Sequence, residues 1–192
     1  MNVGIIVEGG DDRAVYPVLI RRIDATVDGI HARECGGRRK LEDKFVVFLK
    51  QFAGNLPAFR IKKVLVIRDS DCEDPSPIER KLQRILGESR FEPPFGVSFH
   101  ATKCKLESWL LADEAAINFV SNRRGGPGAI RRVEVDLENF REPDQLYRKT
   151  LSQAGLQDTE KVMREIAEQA RLEVIAQHCP TFRHFTQKLT DP

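Results

Sequence analysis

Apolar positions along the chain alternate between two kinds of pattern. Residues 3–7 (VGIIV) form a short continuous apolar run closed by Glu8-Gly9-Gly10. Strands buried on both faces read this way, and they occur mainly in parallel sheets. Val15, Val18, Leu19 and Ile23 then recur at helical spacing, with Asp11 and Asp12 as cap candidates. A second strand is expected within residues 25–34, although Asp28-Gly29 also reads as a turn. Leu41, Phe45, Phe48, Leu49 and Phe52 predict a helix over residues 40–52.

Residues 63–68 (KVLVIR) are the clearest strand and run into Asp69-Ser70-Asp71. Pro77 suits the start of a helix carrying Ile78, Leu82, Ile85 and Leu86 and stopping at Gly87. Residues 95–101 alternate as a further strand, and Leu106, Trp109, Leu110, Ala116, Ile117 and Val120 predict one helix over 106–120. The glycine-rich stretch 122–128 breaks it. Residues 143–189 read as amphipathic helix interrupted at Pro180. Strands alternating with helices predict an α/β fold, a mostly parallel central sheet of about four strands flanked by helices. The expected division is an α/β domain over 1–120 and a helical C-terminal extension over 121–192, packed as one structural unit.

Length and composition narrow the class. A chain of 192 residues closes one sizeable core, and 41% hydrophobic with 31% charged residues argues against general disorder. No apolar run approaches the ~20 residues of a membrane span. MNVGIIVEGG has no basic n-region, so it reads as a first strand and a cytoplasmic location is expected. Cys35, Cys72, Cys104 and Cys179 are scattered without a C-x-x-C pair, which predicts free, mostly buried thiols rather than zinc. A net charge of +2 neither demands nor excludes a nucleic-acid partner.

Candidate chemistry lies at the strand ends. In parallel α/β sheets, ligands bind beyond the carboxyl ends of the strands, and Glu8 and the Asp69/Asp71 pair fall at two such ends. Asp69 and Asp71, two residues apart, project the same way if the segment is extended. If the two strands are neighbours, three carboxylates converge, and like charges so close need compensation. A hard divalent cation, Mg²⁺ or Mn²⁺, is the matching partner. Read blandly, Glu8 caps a helix and the aspartates are loop carboxylates.

At this point the motifs resemble a known pattern. VEGGDDRAVYPVLI, VLVIRDSD, KLESWLLAD and CPTFRHFTQKL together are similar to the Toprim domain of topoisomerases, bacterial primases and OLD-family nucleases, and in detail to small Toprim-like proteins labelled DUF4276. The resemblance implies a Toprim-like Rossmannoid sheet. It implies Glu8 in acid/base chemistry and metal contact, Asp69 and Asp71 as metal ligands, Asp12 as a further acidic ligand, and Glu107 as ligand to a second metal. Two metals ~4 Å apart would stabilise the attacking and leaving oxygens of an in-line phosphoryl displacement. Lys103 or Lys105 would neutralise charge on the phosphate. Where such families follow Glu-Gly with a Pro-Thr or similar pair, this chain has Gly10-Asp11.

The expected function is a Mg²⁺-dependent nuclease acting on nucleic acid, DNA ahead of RNA, with an ATPase partner suggested by the OLD-type resemblance, no membrane association and a homodimer as one arrangement. Its rivals are a non-catalytic metal-binding adaptor and a receiver-like phospho-acceptor. Arg38, Arg39 and Lys40 are the densest basic cluster, and Arg123/Arg124 and Arg131/Arg132 flank the glycine-rich loop. Each is a candidate phosphate contact beside the plainer reading of solvated charge. Tyr16, Tyr147 and Trp109 read as core, which argues against a topoisomerase nucleophile, and His100 reads as a satisfied structural histidine.

Overall fold

The structure, a computed structural model, describes residues 1–191. Strands β1 (Asn2–Val7), β2 (Gly29–Glu34), β3 (Ile61–Asp69) and β4 (Gly96–Thr102) pair in parallel in the order β2-β1-β3-β4. Helix α1 (Gly10–Ile23) joins β1 to β2, and α2 (Arg38–Gly54) with the short α3 (Leu56–Phe59) joins β2 to β3. Helix α4 (Pro75–Glu88) joins β3 to β4. Six helices follow: α5 (Leu106–Leu111), α6 (Glu114–Arg123), α7 (Pro143–Gln153), α8 (Glu160–Gln169), α9 (Leu172–His178) and α10 (Pro180–Thr190). The expected α/β architecture with a parallel four-strand sheet and C-terminal helices is the one observed.

Alternation along the strands builds two cores. Ile5, Val7, Leu65 and Ile67 face α1 and the C-terminal helices. Ile6, Val64, Val66, Phe99 and Ala101 face α2 and α4. Because successive strand side chains point to opposite faces, a sheet covered on both sides needs apolar residues at every position. That is why β1 and β3 read as unbroken apolar runs. The first core extends from Val3 to Leu189 and joins side chains of both expected parts of the chain. Tyr16, Tyr147 and Trp109 are all fully buried in it.

Three expectations need correcting. The single helix over 106–120 is two, because Asp113 breaks it. This fully buried carboxylate caps α6 through the Ala115 N–H (3.2 Å) and receives the Arg171 backbone N–H (2.7 Å) and guanidinium (2.5 Å). Satisfying a buried charge in this way outweighs continuing the helix. His100 is buried against Trp109 and Phe185, but neither of its ring nitrogens has a hydrogen-bond partner, so it is structural without being satisfied. Cys72 and Cys104 form a disulfide, leaving only Cys35 and Cys179 as free, buried thiols among the described residues. Spacing alone could not reveal the pair, since β3 and β4 bring their following loops together only in the folded sheet.

The strand order locates the ligand crevice. From β1 the chain moves outward to β2, then crosses back over β1 to β3. The switch point lies between β1 and β3, and in open parallel sheets the crevice opens there, at the carboxyl ends.

Candidate metal centre

Glu8 immediately follows β1 and Asp69 ends β3, the two strands that flank the switch point. They adjoin: the Asp69 backbone N–H donates to Glu8 Oε1 at 3.3 Å. Around them a cavity of about 260 Å³ is lined by Glu8, Asp11, Asp12, Asp69, Lys105 and Glu107, with Gly36-Gly37 and Met163 completing its wall. Five carboxylates and one lysine from β1, α1, β3 and the start of α5 therefore share one concavity.

Each side chain is placed by a local device. Gly9 is the N-cap of α1, and Asp12, the third residue of the helix, accepts its N–H at 3.1 Å. The cap role thus falls to Gly9, with Asp12 supporting it from inside the first turn. Gly9 itself is extended and open-sided, so no backbone need demands glycine there. At Gly10 a Cβ would come within 2.7 Å of the Glu160 carboxylate, and α8 packs closely on α1. Gly36 and Gly37, with φ of 81° and 117°, hold a left-handed turn in which both N–H groups donate to the Glu8 carbonyl. Glu107 sits in the first turn of α5, and Lys105 lies 3.7 Å from Asp144.

Electrostatics follow from enclosure. Burial raises the Glu8 carboxyl, opposed chiefly by the Arg68 guanidinium. Burial also pushes Asp12 up to about 7, reinforced by the Glu8 and Glu107 charges and opposed by the Gly9 N–H. Asp69 is raised well above the usual carboxylate range by burial and by Asp12, Glu107 and Glu8. Glu107 is raised by burial, with its own N–H and Lys105 pulling the other way. Asp12 and Asp69 keep part of their surface open to the cavity while packed atoms enclose the rest. Crowded, half-desolvated carboxylates of this kind favour protonation or a cation.

Not every predicted residue joins them. Asp71 turns away and pairs with Arg38 at 2.7 Å. The strand ends at Asp69, and Asp71 and Cys72 adopt left-handed φ of 50° and 68°, so the extended geometry that would align Asp71 with Asp69 is lost. Lys103 is not part of the cavity lining, and its backbone N–H reaches Thr181 Oγ1. The Cys72–Cys104 bond ties the loop after Asp69 to the loop before Lys105. Two further participants were hidden in the sequence: Asp11, read only as a cap, and Arg68. Arg68 is 5% exposed, with Nε 3.6 Å from Glu8 and Nη1 2.7 Å from Glu42. A charge ending an apolar strand was its signal, because a buried guanidinium requires carboxylate partners.

Among the described residues, no three His, Cys, Asp or Glu side chains close on a common point as a ready metal cage. Glu8 faces Arg68, and Asp12 is held by Gly9. The donor set nevertheless suits Mg²⁺ in kind, since this ion prefers oxygen, keeps several waters and takes only one or two carboxylates directly.

No protein-family model matches the sequence, and no curated protein matches it. The chain is similar in structure to the C-terminal region of the Burkholderia pseudomallei OLD protein, at 16% identity and a TM-score of 0.46, over 96% of this chain and 98% of that one.

Proposed function

We propose that this protein is a Mg²⁺- or Mn²⁺-dependent phosphodiesterase acting on nucleic acid, with the crevice between β1 and β3 as its active site. One observation carries the reading: Glu8, Asp12, Asp69 and Glu107, distant in sequence, line a single cavity at the topological switch point. The motif resemblance to Toprim domains points to these four and also to Asp71. Asp69 and Glu107 are the principal oxygen donors, with Glu8 and Asp12 completing the acidic wall. A bound divalent cation supplies charge stabilisation to the phosphoryl oxygens. Lys105, the one lysine in the wall, adds positive charge where negative charge develops in the transition state. Arg68 holds Glu8 and fixes its orientation. Asp71, directed at Arg38, stays outside the donor set.

Calorimetry with Mn²⁺, and cleavage of plasmid and single-stranded DNA with Mg²⁺ or Mn²⁺, test this reading against Asp69→Asn. Wild-type protein is expected to bind the ion and cut, and the variant to lose both. Cleavage surviving in Asp69→Asn places the chemistry elsewhere. A second reading has support in the arginine pairings of Glu8 and Asp71: an adaptor that retains the metal site without hydrolysis. Mn²⁺ binding without cleavage of any substrate selects it.

A further inference from the structure

Beside the acidic crevice lies a second concavity of about 500 Å³, whose charged lining is Arg38 and Arg39 from the start of α2, Arg68 from β3, Lys81 from α4, and Glu42 and Glu73. Arg38 pairs with Asp71, Arg68 with Glu8 and Glu42, and Lys81 with Glu42, so among the described residues Arg39 is the lining cation without a salt bridge. Glu42 already holds Arg68 at 2.7 Å and Lys81 at 2.6 Å, which fixes those two cations in place. The seventeen-residue α2 opens into this wall with no side-chain cap and no acidic residue in its first turn. Its positive dipole end therefore adds to the cationic side chains.

A second, independent observation comes from Arg68. Its side chain is 5% exposed and lines the concavity; Nη1 donates to Glu42 and the buried Nε faces Glu8 at 3.6 Å, which leaves Nη2 as the nitrogen with no protein partner among the described residues. A guanidinium anchored by two carboxylates with one terminal nitrogen unbonded can present that nitrogen to a phosphate oxygen as a charge-assisted donor.

The two concavities share a wall. Gly36-Gly37 line the acidic side, the next two residues line the basic side, and Arg68 stands between Glu8 and Glu42. We propose that the basic concavity binds a phosphate group of a nucleic-acid strand whose adjoining phosphodiester lies in the acidic crevice. This assignment rests on the phosphodiesterase reading for the second phosphate, whereas the basic site itself requires no metal. Its role is to hold the strand against the repulsion of the carboxylate wall.

Strand binding is measured by fluorescence anisotropy with a labelled single-stranded oligonucleotide in EDTA, which separates it from any metal-dependent step. Arg39→Gln/Lys81→Gln changes two exposed side chains. It is expected to weaken binding about tenfold at ~100 mM salt and to reduce the slope of log K against log salt by about 1.4, or ~0.7 per lost contact. Lys62→Gln/Arg90→Gln, which removes equal charge outside this concavity, is expected to stay within about twofold of wild type. Equal losses in both double variants, or no loss in the first, overturn the proposal. Displacement of the strand by inorganic phosphate at matching phosphate concentration assigns the site to a free anion and overturns it as well. Asp69→Asn is expected to lose Mn²⁺ yet keep strand binding in EDTA. Failure of Mn²⁺ binding in wild type, with strand binding still dependent on Arg39 and Lys81, brings down the metal reading and supports the basic site.

Discussion

Asp12 occupies a position where two demands conflict. Its carboxylate must accept the Gly9 N–H to start α1, yet it is enclosed among Glu8, Glu107 and Asp11, and its pKa rises to about 7. In the unfolded chain an aspartate titrates near 4. The folded state therefore holds this proton more tightly than the unfolded state. The associated stability is complete below the unfolded value and is lost as pH rises through about 7. Asp12→Asn keeps one carbonyl oxygen able to accept the Gly9 N–H that Oδ2 accepts in the wild type, and removes the charge. Thermal melts of the metal-free variant at pH 8 are expected to show a Tm several degrees above wild type, on the scale of 2–4 °C per kcal/mol for a chain of about this size. The gap should narrow as pH falls and close only below about pH 4, where the unfolded aspartate is also protonated. A variant that melts lower than wild type at pH 8 would show that the Asp12 charge is compensated in the folded state. The sequence named Asp12 as a candidate through motif resemblance. What it withheld was Arg68, whose partners Glu8 and Glu42 are sixty and twenty-six positions away and reach it through the β1–β3 pairing and through α2 packing on the sheet.

At the scale of elements, the strands were legible because apolar runs such as residues 63–68 have one explanation, burial on both faces of a sheet. The loops were not, since their conformation depends on contacts between elements. The loop after β3 is the clearest instance. Ser70 N–H binds the Thr102 carbonyl at 2.8 Å, Asp71 N–H binds the Cys104 carbonyl at 3.1 Å, and Cys104 N–H binds Ser70 Oγ at 3.1 Å. The chain is thereby drawn into left-handed φ at Asp71 and Cys72, which separates Asp71 from Asp69. The Cys72–Cys104 disulfide, spanning 32 residues, closes the same junction. Cross-linking a loop of that length contributes about 3–4 kcal/mol in the chain-entropy account. Cys72→Ser/Cys104→Ser, or reduction with a phosphine, is expected to lower the urea midpoint and to weaken Mn²⁺ binding severalfold, because Asp69 and Glu107 flank the two joined loops. Unchanged affinity after reduction would mean that the backbone hydrogen bonds alone hold the crevice.

For the whole molecule, the acidic crevice couples folding to pH and to cations through one balance. Glu8, Asp12, Asp69 and Glu107 are all raised by burial, so folding of the metal-free protein takes up protons. Raised carboxylates contribute stability at low pH and lose it as pH climbs through their folded values, the reverse of what a salt-bridged carboxylate does. On the proposed metal-binding reading, a divalent cation would bind the ionised carboxylates and compete with those protons. It should therefore stabilise little at pH 5.5 and most at pH 8, where the repulsion it relieves is greatest. At 100 times its Kd the ion adds about 2.7 kcal/mol, roughly 5–10 °C in Tm for a chain of this size. Melts with Mn²⁺ against EDTA at the two pH values measure that difference directly. Asp69→Asn should shrink the shift at pH 8, because it removes a carboxylate from the centre of the cluster. A shift of equal size at both pH values, or one that survives in Asp69→Asn, would place the bound ion on surface carboxylates. Carboxylates in open solvent titrate near 4, so protons would not compete there above pH 5.5, and the crevice would then be stabilised by protonation alone.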